Sequence, residues 1–368
     1  MRVALNATCF NHRPSGSKQR FVGIYRELAQ YMPDTEFVIL EPCDYNMQPW
    51  FDGLDNIKTI ATPIRSEGHL GRLLRAGSFW SEVFSNERFD IVEGFHLPMP
   101  TAPGTKKIFT LHDIRRLKLN GNIFEQKLFL LALKRAIGKA DALVTVSESM
   151  KKEILPYCGG KPVHVVYNGV NNTGKLPSIN ELDNFRSRFH ITSGFLLAVG
   201  HLEVRKNYNN LIEAVGILRR WGVNKRLLIV GYDSGMQSNL ENKIRCLGLE
   251  NIVSIASGLS DKEIQCAYRL CDLFVFSSFY EGFGIPILEA MASGCPMALS
   301  DIPVFREITE NQSAYFSCSD PYDIARVIYK VISSPSERSR LSEYGFNRVK
   351  EFFYSRIAES YAQIYKSL

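Results

Sequence analysis

Ser277-Ser-Phe-Tyr-Glu281-Gly-Phe-Gly-Ile-Pro286-Ile-Leu-Glu289-Ala-Met-Ala-Ser-Gly294 is the stretch on which the reading of the chain turns. Ahead of it, Leu273-Phe-Val-Phe276 is a short apolar run of the kind that forms a buried parallel strand. Its end is an Ala/Met/Leu run that reads as a packed helix. Between them lies a turn with two glycines, followed by Pro286, whose missing N–H costs nothing at the start of a helix. In a strand–loop–helix unit the amides of the first helical turn are unpaired and partly positive, which makes an anion site. Gly282 and Gly284 let the backbone approach such a ligand closely. Two carboxylates sit at the same place: Glu281 on the loop and Glu289, expected in the first helical turn. A bare phosphate would be repelled by them. A ligand with both phosphates and hydroxyls would use them, because carboxylates accept hydrogen bonds from sugar hydroxyls. The spacing also fits a helix-start glutamate beside an exposed loop glutamate.

The segment E-G-F-G-I-P-I-L-E-A-M-A-S-G-C-P, Glu281 to Pro296, resembles the E-x7-E signature of retaining glycosyltransferases of family 4 (glycosyl transferases group 1). The resemblance implies an α/β protein of two Rossmann-like doubly wound domains facing a cleft, the GT-B fold, with the last helix crossing back to the N-terminal domain. It implies that Glu281 orients the transferred hexose and Glu289 the ribose. Gly282, Phe283, Gly284 and Ile285 would then border the donor.

Other segments match the same family. In Gly200-His-Leu-Glu-Val-Arg205-Lys206-Asn207 two adjacent cations precede a helix, against its dipole. An anion held between them would neutralise both, and the resemblance assigns Arg205 and Lys206 to the donor diphosphate; a solvated loop pair is the plainer reading. His112 follows the apolar run Ile108-Phe-Thr-Leu111, at the carboxyl end of an expected strand. In the family a histidine here faces acceptor and sugar, and it could donate to a hydroxyl or take a proton near neutral pH; a packed strand-end histidine would look the same. The loop Asn11 to Ser17 holds one glycine, Gly16, where the family has more, so its phosphate contact is an expectation with a gap in it. Gly258 stands where the family's backbone holds the nucleotide base. Val146-Ser147-Glu148 and Tyr167-Asn168-Gly169-Val170 also match, and read as a helix cap and a turn.

The 368 residues suggest two domains. In the first half, apolar runs such as Val3-Ala-Leu5, Phe37-Val-Ile-Leu40 and Ala142-Leu-Val-Thr-Val146 alternate with helical spacing over Phe21–Tyr31 and Leu70–Phe84. That alternation implies a parallel sheet covered on both faces. The expected boundaries are an acceptor-binding domain over 1–170, a linker over 171–190 and a donor-binding domain over 191–349. The tail from Phe346 is expected to be helical, with residues from about 350 to 368 returning to the first domain.

No apolar run reaches the ~18 residues of a membrane span, and the start of the chain reads as a strand rather than a secretory signal. Eight cysteines without a CxxC pair suggest free thiols in a reducing cytosol. A net charge of +6 and a pI near 8.8 fit an anionic partner and are too mild to argue for nucleic acid.

The reading is therefore a metal-independent, retaining hexosyltransferase with no cofactor beyond its nucleotide-diphosphate sugar. GDP-mannose is favoured as donor, with UDP-glucose or a deoxysugar donor as the others. The acceptor would be a hydroxyl of a glycan or a lipid-linked sugar. The expected location is cytoplasmic, with peripheral contact on the inner face of a membrane through the basic apolar stretch Arg115 to Arg135 as a further expectation; a core helix with solvated ends is the simpler reading of that stretch. The alternative is a non-catalytic nucleotide-sugar-binding relative acting as a partner subunit. A nicotinamide oxidoreductase is excluded because no G-x-G-x-x-G follows the first strand.

Overall fold

The computed structural model describes residues 1–67, 80, 83–84, 87–100, 102–119, 121–171 and 176–368. The chain divides into two compact units, Met1–Asn171 with Phe352–Leu368, and Asn172–Glu351. Most of the helix expected over Leu70–Phe84, and residues 172–175 of the connector, lie outside the described residues.

Among the described residues the first unit holds seven strands: β1 (Arg2–Asn6), β2 (Glu36–Glu41), β3 (Ile57–Ala61), β4 (Ile91–Gly94), β5 (Lys106–Leu111), β6 (Ala142–Thr145) and β7 (Val163–Val165). They form one parallel sheet in the order β3-β2-β1-β4-β5-β6-β7. β4 and β6 are buried at every residue, the mark of a strand covered on both faces. The edge strand β3 was not anticipated; only its first residue, Ile57, is buried, and it lacks a continuous apolar run.

The first helix spans Gly16–Tyr31 and starts five residues before the expected Phe21. Ser15 caps it by accepting from the Lys18 amide, so the polar residues 16–20 are helical despite their lack of apolar periodicity. Gly16 is thus a helix-start residue rather than a loop glycine. The apolar face of this helix, with Phe21, Ile24, Tyr25 and Leu28, shares a core with Tyr361, Ile364 and Tyr365. A Cβ on Gly23 would fall 2.1 Å from the Tyr354 ring, so only glycine lets the two helices approach here.

The expected helical tail is broken in two. A helix over Pro335–Arg348 gives way to a 3-10 turn, Val349–Phe352, and a new helix runs from Tyr354 to Lys366. At the break Val170 donates to the Phe352 carbonyl at 3.0 Å and accepts from the Tyr354 amide at 3.2 Å. The last helix therefore crosses back to the first unit. There the Glu93 carboxylate, fully buried in β4, accepts from Tyr25 at 2.5 Å, Tyr365 at 2.7 Å, Thr110 at 2.6 Å and also Tyr361. A buried carboxylate without such donors would cost several kcal/mol.

The second unit repeats the plan with six parallel strands: β8 (Leu196–Val199), β9 (Leu227–Val230), β10 (Val253–Ala256), β11 (Leu273–Phe276), β12 (Met297–Ser300) and β13 (Ala314–Phe316). Their order is β10-β9-β8-β11-β12-β13. The order reverses between β8 and β11, the kind of switch point where such sheets bind ligands at their carboxyl ends. β8 and β11 pair only at Leu196–Leu273 and Leu197–Phe274. Beyond that, β8 pairs with β9 and β11 with β12, so the two strands stop pairing with each other before their loops begin.

Candidate active site

The loops after β8 and β11 carry Arg205, Lys206 and Glu281, and the structure brings the three side chains together. Glu281 Oε1 accepts from Lys206 Nζ at 2.7 Å and from Ser278 Oγ at 2.8 Å. Its other oxygen meets Arg205 at 2.5 Å. Arg205 also pairs with Glu203 at 2.6 Å. Lys206 is 6% and the Glu281 side chain 9% exposed, so the contact is desolvated and not a surface ion pair.

The backbone sets this arrangement. Val204–Lys206 is a 3-10 turn that ends on Asn207 in the left-handed region, φ 57°. Phe279 donates its amide to the Arg205 carbonyl at 2.8 Å, and Ser277 Oγ donates to the Lys206 carbonyl at 2.8 Å. Lys206 Nζ lies 4.6 Å above the Phe276 ring, a cation–π contact at the end of β11. Gly200, at φ 146°, makes room for it: a Cβ there would lie 2.9 Å from Lys206 Cε. Tyr208 Oη donates to the Gly200 carbonyl at 2.9 Å and fixes the same turn.

Burial and charge compete in the cluster. Burial would raise the Glu281 carboxyl, but Lys206 and Arg205 outweigh it and hold the group down to about 2. Burial opposes the Arg205 charge, and Glu281 and Glu203 more than offset it. For Lys206 burial wins, and its pKa lies below the ordinary lysine value despite Glu281. Two cations and two carboxylates make the group formally neutral. Arg205 and Lys206 are therefore not a bare positive pair, as the sequence alone suggested. Arg205 Nε is buried and, among the described residues, has no hydrogen-bond partner.

The glycine loop leads into the helix Ile285–Ala292, capped by Gly284 at φ 128°. Glu289 corrects the sequence reading: it lies beyond the first turn, which holds no acid. Its Oε2 accepts from Tyr268 Oη at 3.1 Å. The side chains of Phe283 and Ile285 are buried in the unit, at 3% and 7% exposure, so this part of the loop offers a ligand mainly its backbone. Gly258 is exposed after β10 at φ 71°. Tyr268 and Gly200 had no assigned part in the sequence reading of Glu289 and Lys206. Gly200 could have been found from its place directly after β8.

In the first unit, His112 follows β5. It borders a small cavity with Ser17, Arg20, Tyr25, Phe95 and Tyr361. Its Nε2 is buried and has no hydrogen-bond partner among the described residues. Burial, with Arg20 nearby, pushes its pKa down to about 3. The ring is thus neutral at physiological pH, which replaces the expectation of a proton acceptor near neutrality. Arg20 donates to the Val166 and Tyr167 carbonyls at 2.8 and 2.7 Å and to Asn168 Oδ1 at 3.1 Å. The Asn168-Gly169 turn is thereby tied to the first helix. Gly16 is exposed at the start of that helix. Among the described residues no three His, Cys, Asp or Glu side chains converge as a metal site requires.

The O-antigen chain mannosyltransferase RfbU of Salmonella typhimurium is 28% identical over 257 residues, covering 68% of this chain and 69% of that protein. Mannosylfructose-phosphate synthase of Agrobacterium fabrum is 30% identical over 52% of this chain and 45% of its own length. The chain thus spans from under half to about two thirds of these relatives. Sucrose-phosphate synthase from Thermosynechococcus elongatus superposes with a TM-score of 0.80 at 17% identity, covering 100% of this chain and 98% of that one. HepE from Anabaena, solved with UDP-glucose, gives 0.78 at 19% identity with full coverage of both. Both likenesses establish the GT-B fold. The sequence model of "Glycosyltransferase Family 4" matches residues 26–173 and that of "Glycosyl transferases group 1" residues 180–348; with the two-sheet fold, they show that the chain belongs to the family 4 glycosyltransferases of GT-B architecture.

Proposed function

We propose that the protein transfers a hexose, with retention and without a metal, from a nucleotide-diphosphate sugar to a hydroxyl of a glycan or lipid-linked acceptor in glycan synthesis. GDP-mannose is the favoured donor. The names of RfbU and of the serotype-specific mannosyltransferase WbdA of Escherichia coli support mannose. HepE, whose structures hold UDP and UDP-glucose, keeps a uridine donor as the second candidate. A deoxysugar donor is a third.

The observation that carries the reading is the buried Arg205–Lys206–Glu281 cluster at the β8/β11 switch point. Charge grows on the departing diphosphate as the C1–O bond loosens. Preset donors stabilise that charge without reorganising at the moment of reaction. Arg205 and Lys206 would supply such donors, with the start of the Ile285–Ala292 helix beside them. Because the cluster is already neutral, the incoming diphosphate shares Arg205 and Lys206 with Glu281, and Glu281 is left to accept from sugar hydroxyls. Glu289, oriented by Tyr268, would take the ribose hydroxyls. Neutral His112 would hydrogen-bond a sugar or acceptor hydroxyl, positioning it instead of removing its proton.

The test is a turnover assay on the purified chain with GDP-mannose and UDP-glucose, reading nucleoside diphosphate release and the anomeric configuration of the product by NMR, with and without EDTA. Release with a retained anomer and no EDTA effect supports the proposal. Binding of nucleotide without release with any acceptor would make the protein the non-catalytic relative, and an inverted product would remove the retaining mechanism.

A further inference from the structure

The turn Val204–Lys206 serves two places at once. Arg205 and Lys206 enter the ion-pair cluster with Glu281. Val204 and the flanking Glu203 border a cavity of about 200 Å³ within the second unit, whose walls also include Asn209, Met236, Leu240 and Phe279. Among the described residues, Lys206, Glu281, Glu289, Gly258 and the Gly282–Gly284 loop take no part in those walls, so the cavity is separate from the candidate donor site. It lies where the helices Tyr208–Arg220 and Gln237–Cys246 begin. Asn209 Nδ2 donates to Asn239 Oδ1 at 3.1 Å, which joins the two helices and sets the amide. Its Oδ1 is buried and has no hydrogen-bond partner among the described residues. Val204 and Phe279 are 70% and 41% exposed, so apolar surface stays open at the rim.

The walls narrow the chemistry of the ligand. Among the described residues no Lys, Arg or His side chain lines the cavity, so an anion finds no counter-charge there. Glu203 is already paired with Arg205 at 2.6 Å, so a cation would compete with a guanidinium. A neutral ligand remains. Glu203 and Asn209 Oδ1 are acceptors and call for donors such as hydroxyls. Phe279, Met236 and Leu240 offer an apolar surface for the C–H face of the same molecule. The volume is below the ~300–1,000 Å³ of pockets for larger ligands, and suits a single ring. Hydroxyls on the edge of one ring with an apolar face describe a pyranose sugar.

We propose that this cavity binds a neutral pyranose, free or as the end unit of a glycan, and that the bound sugar acts on the neighbouring cluster through Glu203. A hydroxyl that donates to Glu203 competes with Arg205 for the same carboxylate. Arg205 is then less neutralised and more open to a diphosphate. Sugar and nucleoside diphosphate therefore tighten each other's binding by the same factor. The sugar site stands on the cavity alone; its coupling rests on the assignment of Arg205 and Lys206 to a diphosphate.

The full chain is titrated by NMR with methyl α-D-mannopyranoside, methyl α-D-glucopyranoside and mannotriose, and by calorimetry with GDP and UDP, with and without saturating glycoside. At least one glycoside is expected to bind without nucleotide, and to tighten GDP or UDP by about fivefold or more. Tighter binding of mannotriose than of the monosaccharides would identify a glycan end as the ligand, and equal binding a free sugar. Met236→Trp fills the cavity and is expected to weaken the glycoside at least tenfold while nucleotide affinity without glycoside stays at the wild-type value. Asn209→Leu removes the unpartnered acceptor and carries the same comparison if Met236→Trp does not fold. Glycoside binding that is absent in wild type, or unchanged in both variants, overturns the sugar site. Nucleotide affinity that ignores a bound glycoside overturns the coupling. If neither nucleotide binds, the transferase reading fails, and the cavity is decided by glycoside binding in wild type against the variants.

Discussion

Lys206 Nζ and Glu281 Oε1 stand 2.7 Å apart with both side chains nearly inaccessible, and the other oxygen of the same carboxylate is held by Arg205. The pair joins two loops 75 residues apart in sequence, so it is both a structural tie and the core of the candidate site.

Breaking that tie from one side should be worse than removing it. Glu281→Gln strands buried positive charge and is expected to lower stability by about 3–5 kcal/mol in urea unfolding. The double variant Glu281→Leu with Lys206→Met should lose less than the sum of the single losses. Turnover should fall by about tenfold to a thousandfold in each single variant. Additive stability losses would show that the contact is not coupled, and wild-type turnover would remove the residue from the chemistry.

Gly200 tests the geometry separately. Gly200→Ala places a methyl 2.9 Å from Lys206 Cε on a backbone at φ 146°. The cost is expected to be about 1–3 kcal/mol in stability. Turnover should fall beyond what lost folded protein explains, because Lys206 is displaced. Normal kinetics in a folded Gly200→Ala protein would mean that Lys206 need not sit where it does.

His112 gives a pH signature. The group titrates near 6.5 when unfolded and about 3 in the fold. Between those values the unfolded chain binds a proton that the folded chain refuses. Stability therefore falls as pH drops from about 6.5 towards 3, by at most ~1.4 kcal/mol per pH unit for this group. His112→Gln should flatten the acid limb of a stability–pH curve by that share. An NMR titration showing the ring charging near pH 6 would contradict the burial argument.

Glu93 makes the last prediction. Glu93→Leu leaves Tyr25, Tyr361 and Tyr365 hydroxyls buried with their shared acceptor gone. A loss on the order of 3 kcal/mol or more is expected in denaturant unfolding, with early hydrogen exchange in the Tyr354–Lys366 helix. A change below about 1 kcal/mol would show that the hydroxyls find other partners.

The sequence was most readable where one force dominates. β8, β9, β11 and β12 are continuous apolar runs buried on every side, and a run such as Leu273-Phe-Val-Phe276 has few other folds open to it. The R-K-N and glutamate loops were readable as charges out of place at helix starts. Short β13 and half-open β3 gave no such signal. The first turn of the opening helix was hidden because its residues are polar and a single serine cap defines its start. Glu289 was misplaced because Pro286 marks a helix start only to within a residue or so. Glu93 could not be foreseen, since its tyrosine donors come from the first helix and from the last, both distant in sequence. The helix Ile123–Lys139 was ambiguous because periodicity shows an apolar face and not what covers it.

The return of Phe352–Leu368 to the first unit has a consequence for biosynthesis. While the polypeptide is being made, β1 to β7 emerge long before the segment that seals their helix face. Tyr25 and Phe37 must wait, uncovered, through translation of the whole second unit. The nascent first unit therefore exposes part of its core during that interval. Deleting Phe352–Leu368 would harm the opening half of the protein before the half that precedes it in sequence.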